Sequence, residues 1–114
     1  MSISSTSSVS GIQAAFGMLG VSAHNIANVN TNGFKKQTST LHEGENGGVT
    51  HTVGKSTDPG TLFQDGSGNM VESSNVDISE EIVSQIGAKH YLTANLNALK
   101  VANDVQKSLL DILV

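Results

Sequence analysis

The sequence predicts a mainly α protein, a long antiparallel helical hairpin of coiled-coil type made from N- and C-terminal helices. Three observations predict it. Apolar residues recur at helical spacing at both ends of the chain, while the middle is crowded with Gly, Ser, Thr and Asn. Aromatics are only 4% of residues and Trp is absent, so the side chains that dominate globular cores are scarce. A chain of 114 residues makes one small domain, 1–114, with a large surface for its volume. Such a chain gains from burial against partners.

The N-terminal helix is expected over residues 9–28. Val9, Ile12, Phe16, Leu19, Ala23 and Ile26 alternate spacings of three and four, a heptad seam suited to packing on another helix. Gly11, Gly17 and Gly20 each cost about 1 kcal/mol relative to Ala inside a helix, which makes close helix–helix approach their natural use. The Ser/Thr run before Val9 reads as frayed helix or disorder.

Residues 29–76 form a polar insert. Asn32-Gly33 and Asp58-Pro59-Gly60 carry turn chemistry, because Gly and Asn tolerate positive φ and Pro presets its own. Asp65-Gly-Ser-Gly-Asn69 reads as a further turn. Short alternating pieces at Val49 to Val53 and Thr61 to Phe63 suit small strands. The insert is a long loop or a small β-hairpin.

The C-terminal helix is expected over 77–114. Asp77 can cap it, with Glu80 three residues on in the capping-box position. Leu92, Leu96, Leu99, Leu110 and Leu113 then occupy one seam, interrupted by the polar Asn103 and Gln106. At 1.5 Å per residue the two helices would be about 30 Å and about 50 Å long, a rod rather than a ball.

Composition weighs against several functions. The formal net charge is −4 with six Lys and Arg, and Lys35-Lys36 is the only adjacent basic pair, so phosphate neutralisation is poorly served and no nucleic-acid partner is expected. No stretch approaches the ~20 apolar residues of a membrane span, so no direct membrane insertion is expected. Cys is absent, which removes disulfides and thiolate metal sites. His24, His42, His51 and His90 lack a two-on-one-face spacing and read as solvated. Asp65, Ser67 and Asn69 imitate the start of a calcium loop, but Met70 and Val76 stand where its Gly and bidentate Glu belong. There is neither a G-x-S-x-G elbow nor a phosphate-binding G-x-x-x-x-G-K-[ST]. No catalytic, metal or cofactor site is expected, and no enzyme.

Ser22-Ala-His-Asn-Ile-Ala-Asn-Val-Asn-Thr-Asn-Gly-Phe-Lys35 resembles the N-terminal signature of the bacterial flagellar basal-body rod and hook family, matching at Asn25, Ile26, Ala27, Asn28, Asn30, Thr31, Gly33 and Phe34. Ser74-Asn-Val-Asp-Ile-Ser-Glu-Glu81 resembles the family's entry into its C-terminal helix through Asn75, Asp77 and Glu81. Ala94-Asn95, Leu99, Ala102, Asp104 and Leu109-Leu-Asp-Ile112 follow in register. Leu92 stands where the family usually has Tyr, and His90 replaces its usual Arg. The short insert is proximal-rod-like, whereas the Gly-Phe-Lys and Ser-Asn-Val-Asp wording is closer to hook and distal rod.

The resemblance implies an axial structural subunit that self-assembles and transmits torque. It implies a place in the flagellum basal body, in the periplasm-spanning rod. Partners would be other rod and hook axial proteins, further copies of the chain, and the flagellar type III export apparatus. Export would use no cleaved signal peptide, and the N-terminus lacks the basic and apolar regions of one. The alternative function is a soluble helical-hairpin adaptor or export-linked interaction protein that does not build the tube.

Overall fold

The computed structural model describes residues 3–114. Its elements run in the order α1 (Ile3–Ala27), β1 (Gln37–Glu43), β2 (Val49–Lys55), β3 (Leu62–Gln64), β4 (Met70–Glu72) and α2 (Ile78–Leu113). The molecule is 78 × 24 × 14 Å. Helices of 25 and 36 residues make only about half of the chain, so the mainly α expectation holds in part. The insert contributes two antiparallel hairpins, β1–β2 and β3–β4.

α1 begins at Ile3, ahead of the expected residue 9, and takes in most of the Ser/Thr run; Met1 and Ser2 lie outside the described residues. Ser5 and Ser8 are buried, which explains the longer helix: small side chains here fill an interface instead of fraying into water. Ser8, Gly11, Ala15, Ser22 and Asn25 form the buried row of α1, again at heptad spacing. Every member sits one residue before a member of the expected seam. The helix is therefore turned by about 100° from the orientation that bulk predicts. The expected seam is only partly covered. Val9, Ile12, Leu19 and Ile26 are half-buried, Ala23 is exposed and Phe16 is 60% exposed.

The reason is the closeness of α2. A Cβ on Gly11 would lie 2.3 Å from Asn95 Oδ1, so the Asn95 amide rests directly on the glycine backbone. That amide also donates to Tyr91 O at 2.9 Å. Ser22 Oγ donates to Glu81 O at 3.0 Å, which with the Gly11–Asn95 contact fixes the helices as antiparallel. The α2 stripe that answers is Glu81, Gln85, Ala88, Leu92, Asn95, Leu99 and Ala102, all buried or half-buried. Leu92 and Leu99 thus belong to the contact, whereas Leu96 is 48% exposed and Leu110 and Leu113 are exposed. α2 outruns its partner, and every residue from Asn103 to Val114 is exposed.

The β1–β2 hairpin covers a second face of α1. Cross-strand partners run from Gln37 opposite Lys55 to Glu43 opposite Val49. The His51 ring lies over Gly17, where a Cβ would meet Nδ1 at 2.7 Å, and Ser10 Oγ accepts from Val49 N–H at 3.1 Å. Ala14 and Val21, on the same helical row as Ser10 and Gly17, are buried there. The core is thus a thin layer of small side chains with α1 in the middle. The glycines respond to this differently. Gly11→Val should cost about 1–3 kcal/mol through overpacking against Asn95. Gly20 has open space around it, so Gly20→Ala should gain up to about 1 kcal/mol from helix propensity. Urea unfolding followed by circular dichroism would read both, and equal effects would contradict the close contact at Gly11.

Candidate functional site

The polar groups of the fold converge where α1 ends, β1 begins and α2 starts. Asn25 is the centre and is 1% exposed. Its Nδ2 donates to Gln37 O at 2.9 Å and to Glu81 Oε1 at 3.0 Å, and its Oδ1 accepts from Gln37 N–H at 2.8 Å. One amide thereby holds α1, β1 and α2 together. Asp has no donor and Ser cannot make two donations and one acceptance, so the position needs an amide of this length. Gln37 turns both its backbone groups away from β2, and Asn25 occupies the place of a further strand at that edge. Glu81, although ionisable, is buried at 6% exposure; its carboxylate accepts from the Asn25 amide and its backbone carbonyl accepts from the Ser22 hydroxyl.

Beside this node the chain turns through Asn28 to Phe34. Asn28 Nδ2 donates to His24 O at 2.9 Å and its Oδ1 accepts from the Thr31 hydroxyl at 3.2 Å, closing the last turn of α1. Gly33 has φ +74°, the left-handed region that favours glycine, and its N–H donates to Glu72 O at 2.8 Å. Phe34 then sets its ring edge-to-face on His24, with centroids 5.4 Å apart. Asn30 is exposed.

α2 is tied in from its own side. Asn75 Oδ1 accepts from Lys36 N–H at 2.7 Å, and its Nδ2 donates to Asp58 O at 3.0 Å. Asp77 caps the helix by accepting from Ser79 N–H at 2.9 Å. Glu80 does not complete the expected capping box. Its carboxylate pairs with Lys36 Nζ at 2.9 Å, a cation on the residue just before β1. Donating that hydrogen bond to the Glu80 carboxylate holds the Lys36 ammonium above the usual lysine range. On the outer side Lys35 Nζ makes an ion pair with Glu72, whose carboxylate also accepts from Gly60 N–H at 2.7 Å. The Lys35 contact first, and the Gly60 N–H second, hold the Glu72 carboxyl below its ordinary range.

Asn25, Asn28, Thr31, Gly33, Phe34, Asn75, Asp77 and Glu81 therefore stand in one connected region, while Asn95 lies further along the hairpin over Gly11. Gln37 and Glu72 join the network without having been singled out from the sequence, and Lys36, read there only as half of a basic pair, joins it too. His51 is no solvated histidine: it is half-buried on Gly17, with Nε2 2.5 Å from Ser39 Oγ. The signal that could have found the true helix face was the run of small residues, Ser8, Gly11, Ala15 and Ser22, leading to Asn25. Among the described residues no group of three His, Cys, Asp or Glu could hold a metal, and no helix is long and apolar enough to cross a membrane.

The structure is a thin helical hairpin with a hydrogen-bonded base and an exposed end of α2. Its polar groups are spent on joining elements. Residues 67–112 match the family model for the flagellar basal body rod FlgEFG protein C-terminal region. No curated protein matches the chain. The matched segment contains β4, Asn75, the Asp77 cap and α2 up to Ile112.

Two outcomes follow for the node. Asn25→Ala leaves Gln37 N–H, Gln37 O and Glu81 without their shared partner, and should destabilise by about 2–3 kcal/mol in denaturant titration. A loss below about 0.5 kcal/mol would show that water replaces the amide freely. At the outer ion pair the Glu72 carboxyl is lowered on folding. Its stabilisation is complete above the ordinary carboxylate range and is lost as pH falls through the folded value. Glu72→Gln should therefore flatten the acid limb of the stability curve and leave a smaller difference from wild type at low pH than at pH 7. An unchanged acid limb would remove Glu72 from the titration.

Proposed function

We propose that this chain is a structural subunit of the flagellar basal-body rod, an axial protein that assembles with copies of itself and other rod and hook proteins and transmits torque. The observation that carries the proposal is the mismatch between the helices. α2 continues beyond α1 with Leu109, Leu110, Ile112 and Leu113 exposed, and Phe16 and Leu96 are also uncovered. Apolar heptad positions with no partner in their own chain find burial in neighbouring subunits. The family match supports the flagellar setting. In this reading Ile12, Phe16, Leu19, Ala23, Ile26, Leu96, Leu110 and Leu113 serve packing between subunits, whereas Leu92 and Leu99 serve the hairpin itself. Delivery is through the flagellar type III exporter, and the work is mechanical, with no catalysis and no cofactor.

Deleting the gene should abolish swimming, and wild-type protein supplied in trans should restore it. Leu96→Asp should change the stability of the isolated protein by less than about 1 kcal/mol, because the side chain already meets water. It should nevertheless fail to restore swimming. Swimming in the deletion strain would sink the axial role, and rescue by the variant would remove Leu96 from the assembly surface.

A further inference from the structure

Asn-Gly occurs twice in the sequence, at Asn32-Gly33 and at Asn46-Gly47. Glycine puts no Cβ beside its own amide nitrogen, so that nitrogen can reach the carboxamide carbon of the preceding asparagine. Attack of the nitrogen on Cγ closes a succinimide ring and breaks the carboxamide C–N bond. Ammonia leaves and carries off the glycine amide proton. Water then opens the ring at either carbonyl, which yields aspartate or isoaspartate. Asn32 and Asn46 are both exposed, so water reaches both. What separates them is how the attacking nitrogen is held.

Gly33 N–H donates to Glu72 O at 2.8 Å, a bond between residues far apart in the chain. Glu72 is itself pinned, because its carboxylate takes the Lys35 ammonium and Gly60 N–H. Next to it Phe34 O accepts from Asn75 N–H at 3.3 Å. Releasing the Gly33 nitrogen therefore means pulling the exit of α1 away from β4 and the approach to α2. Gly47 is held differently. Its N–H donates to Gly44 O at 3.1 Å, a bond inside the turn that joins β1 to β2. Gly47 has φ +83°, and nothing lies within 4 Å of the place where a Cβ would stand. Freeing this nitrogen disturbs only the turn, and openings of exposed turns lie at the low end of the local free-energy scale. We infer that Asn46 is a site of spontaneous deamidation and isoaspartate formation in the folded protein, and that the Gly33–Glu72 bond protects Asn32. The product sets a new carboxylate between Glu43 and Glu45 on one side and the hairpin's return strand on the other. In the isoaspartyl form the backbone also runs through the former side chain. The turn is fitted to α1, since Gly48, with φ +79°, lies against Ser10, and Val49 N–H donates to Ser10 Oγ at 3.1 Å. A lengthened turn loosens that end of the hairpin from α1. The inference is independent of the subunit reading.

Purified full-length protein would be aged in warm, mildly alkaline buffer, one sample folded and one in urea, until Asn-Gly in the urea sample is half converted. Peptide mass mapping reads the amide-to-acid mass gain at each asparagine. A protein isoaspartyl methyltransferase with labelled S-adenosylmethionine counts the isoaspartate. In urea, where neither glycine nitrogen is held, the two sites should convert at similar rates. In the folded sample Asn46 should convert more than about tenfold faster than Asn32. Asn46→Gln should remove most of the methyl acceptance of the folded sample, because the longer side chain closes a ring far more slowly. Hydrogen exchange at Val49 N–H should be faster in aged wild-type protein than in fresh protein, and unchanged by ageing in N46Q. Asn32 converting as fast as Asn46 in the folded sample would overturn the protection by Glu72. Asn46 staying intact in the folded sample while the urea sample converts would overturn the site itself.

Discussion

Everything in this molecule depends on how closely α1 can be approached. A helix with bulky residues on its contact face holds a neighbour 8–10 Å away, whereas Ser, Gly and Ala let backbones come nearer. α1 uses small residues on two faces at once. Asn95 of α2 rests on Gly11 and the imidazole of His51 rests on Gly17. Neither contact would survive a side chain at the glycine. The cost is low helix propensity along α1, and the return is burial on two sides.

With so little apolar bulk inside, polar groups define the geometry. Asn25 joins three elements through one amide, and Asn75 repeats the device at the start of α2. Hydrogen bonds of this kind add modestly to stability when made and cost more when broken, so they set register sharply. Leu96, Phe16 and the end of α2 are correspondingly free of internal duties.

The helices, the antiparallel hairpin and the Asp77 cap were legible in the sequence because periodicity and capping are local signals. The rotation of α1 was not. Val9, Ile12, Phe16, Leu19 and Ile26 make the stronger apolar row, and ranking faces by bulk selects it over Ser8, Gly11, Ala15 and Ser22. Which row wins is decided by the partner's shape, and Asn95 lies more than eighty residues away in the sequence. The same holds for Glu80, which has the right spacing for a capping box but finds Lys36 instead. The motif asparagines were readable as positions. Their bonds were not, because Gln37 carries no signal of its own: Asn25 binds only its backbone.

The Asn25 amide also bears on the order in which the chain can fold. Its two partners differ greatly in sequence separation: Gln37 is 12 residues away and Glu81 is 56. Closing the shorter loop costs less chain entropy than closing the longer one. α1 and the β1–β2 hairpin, joined at Gln37 and at Ser10, can therefore come together as a local unit while α2 is still unplaced. In that order α2 would dock on a half already shaped to receive it, and Asn25 would be the point at which the later element meets the earlier one.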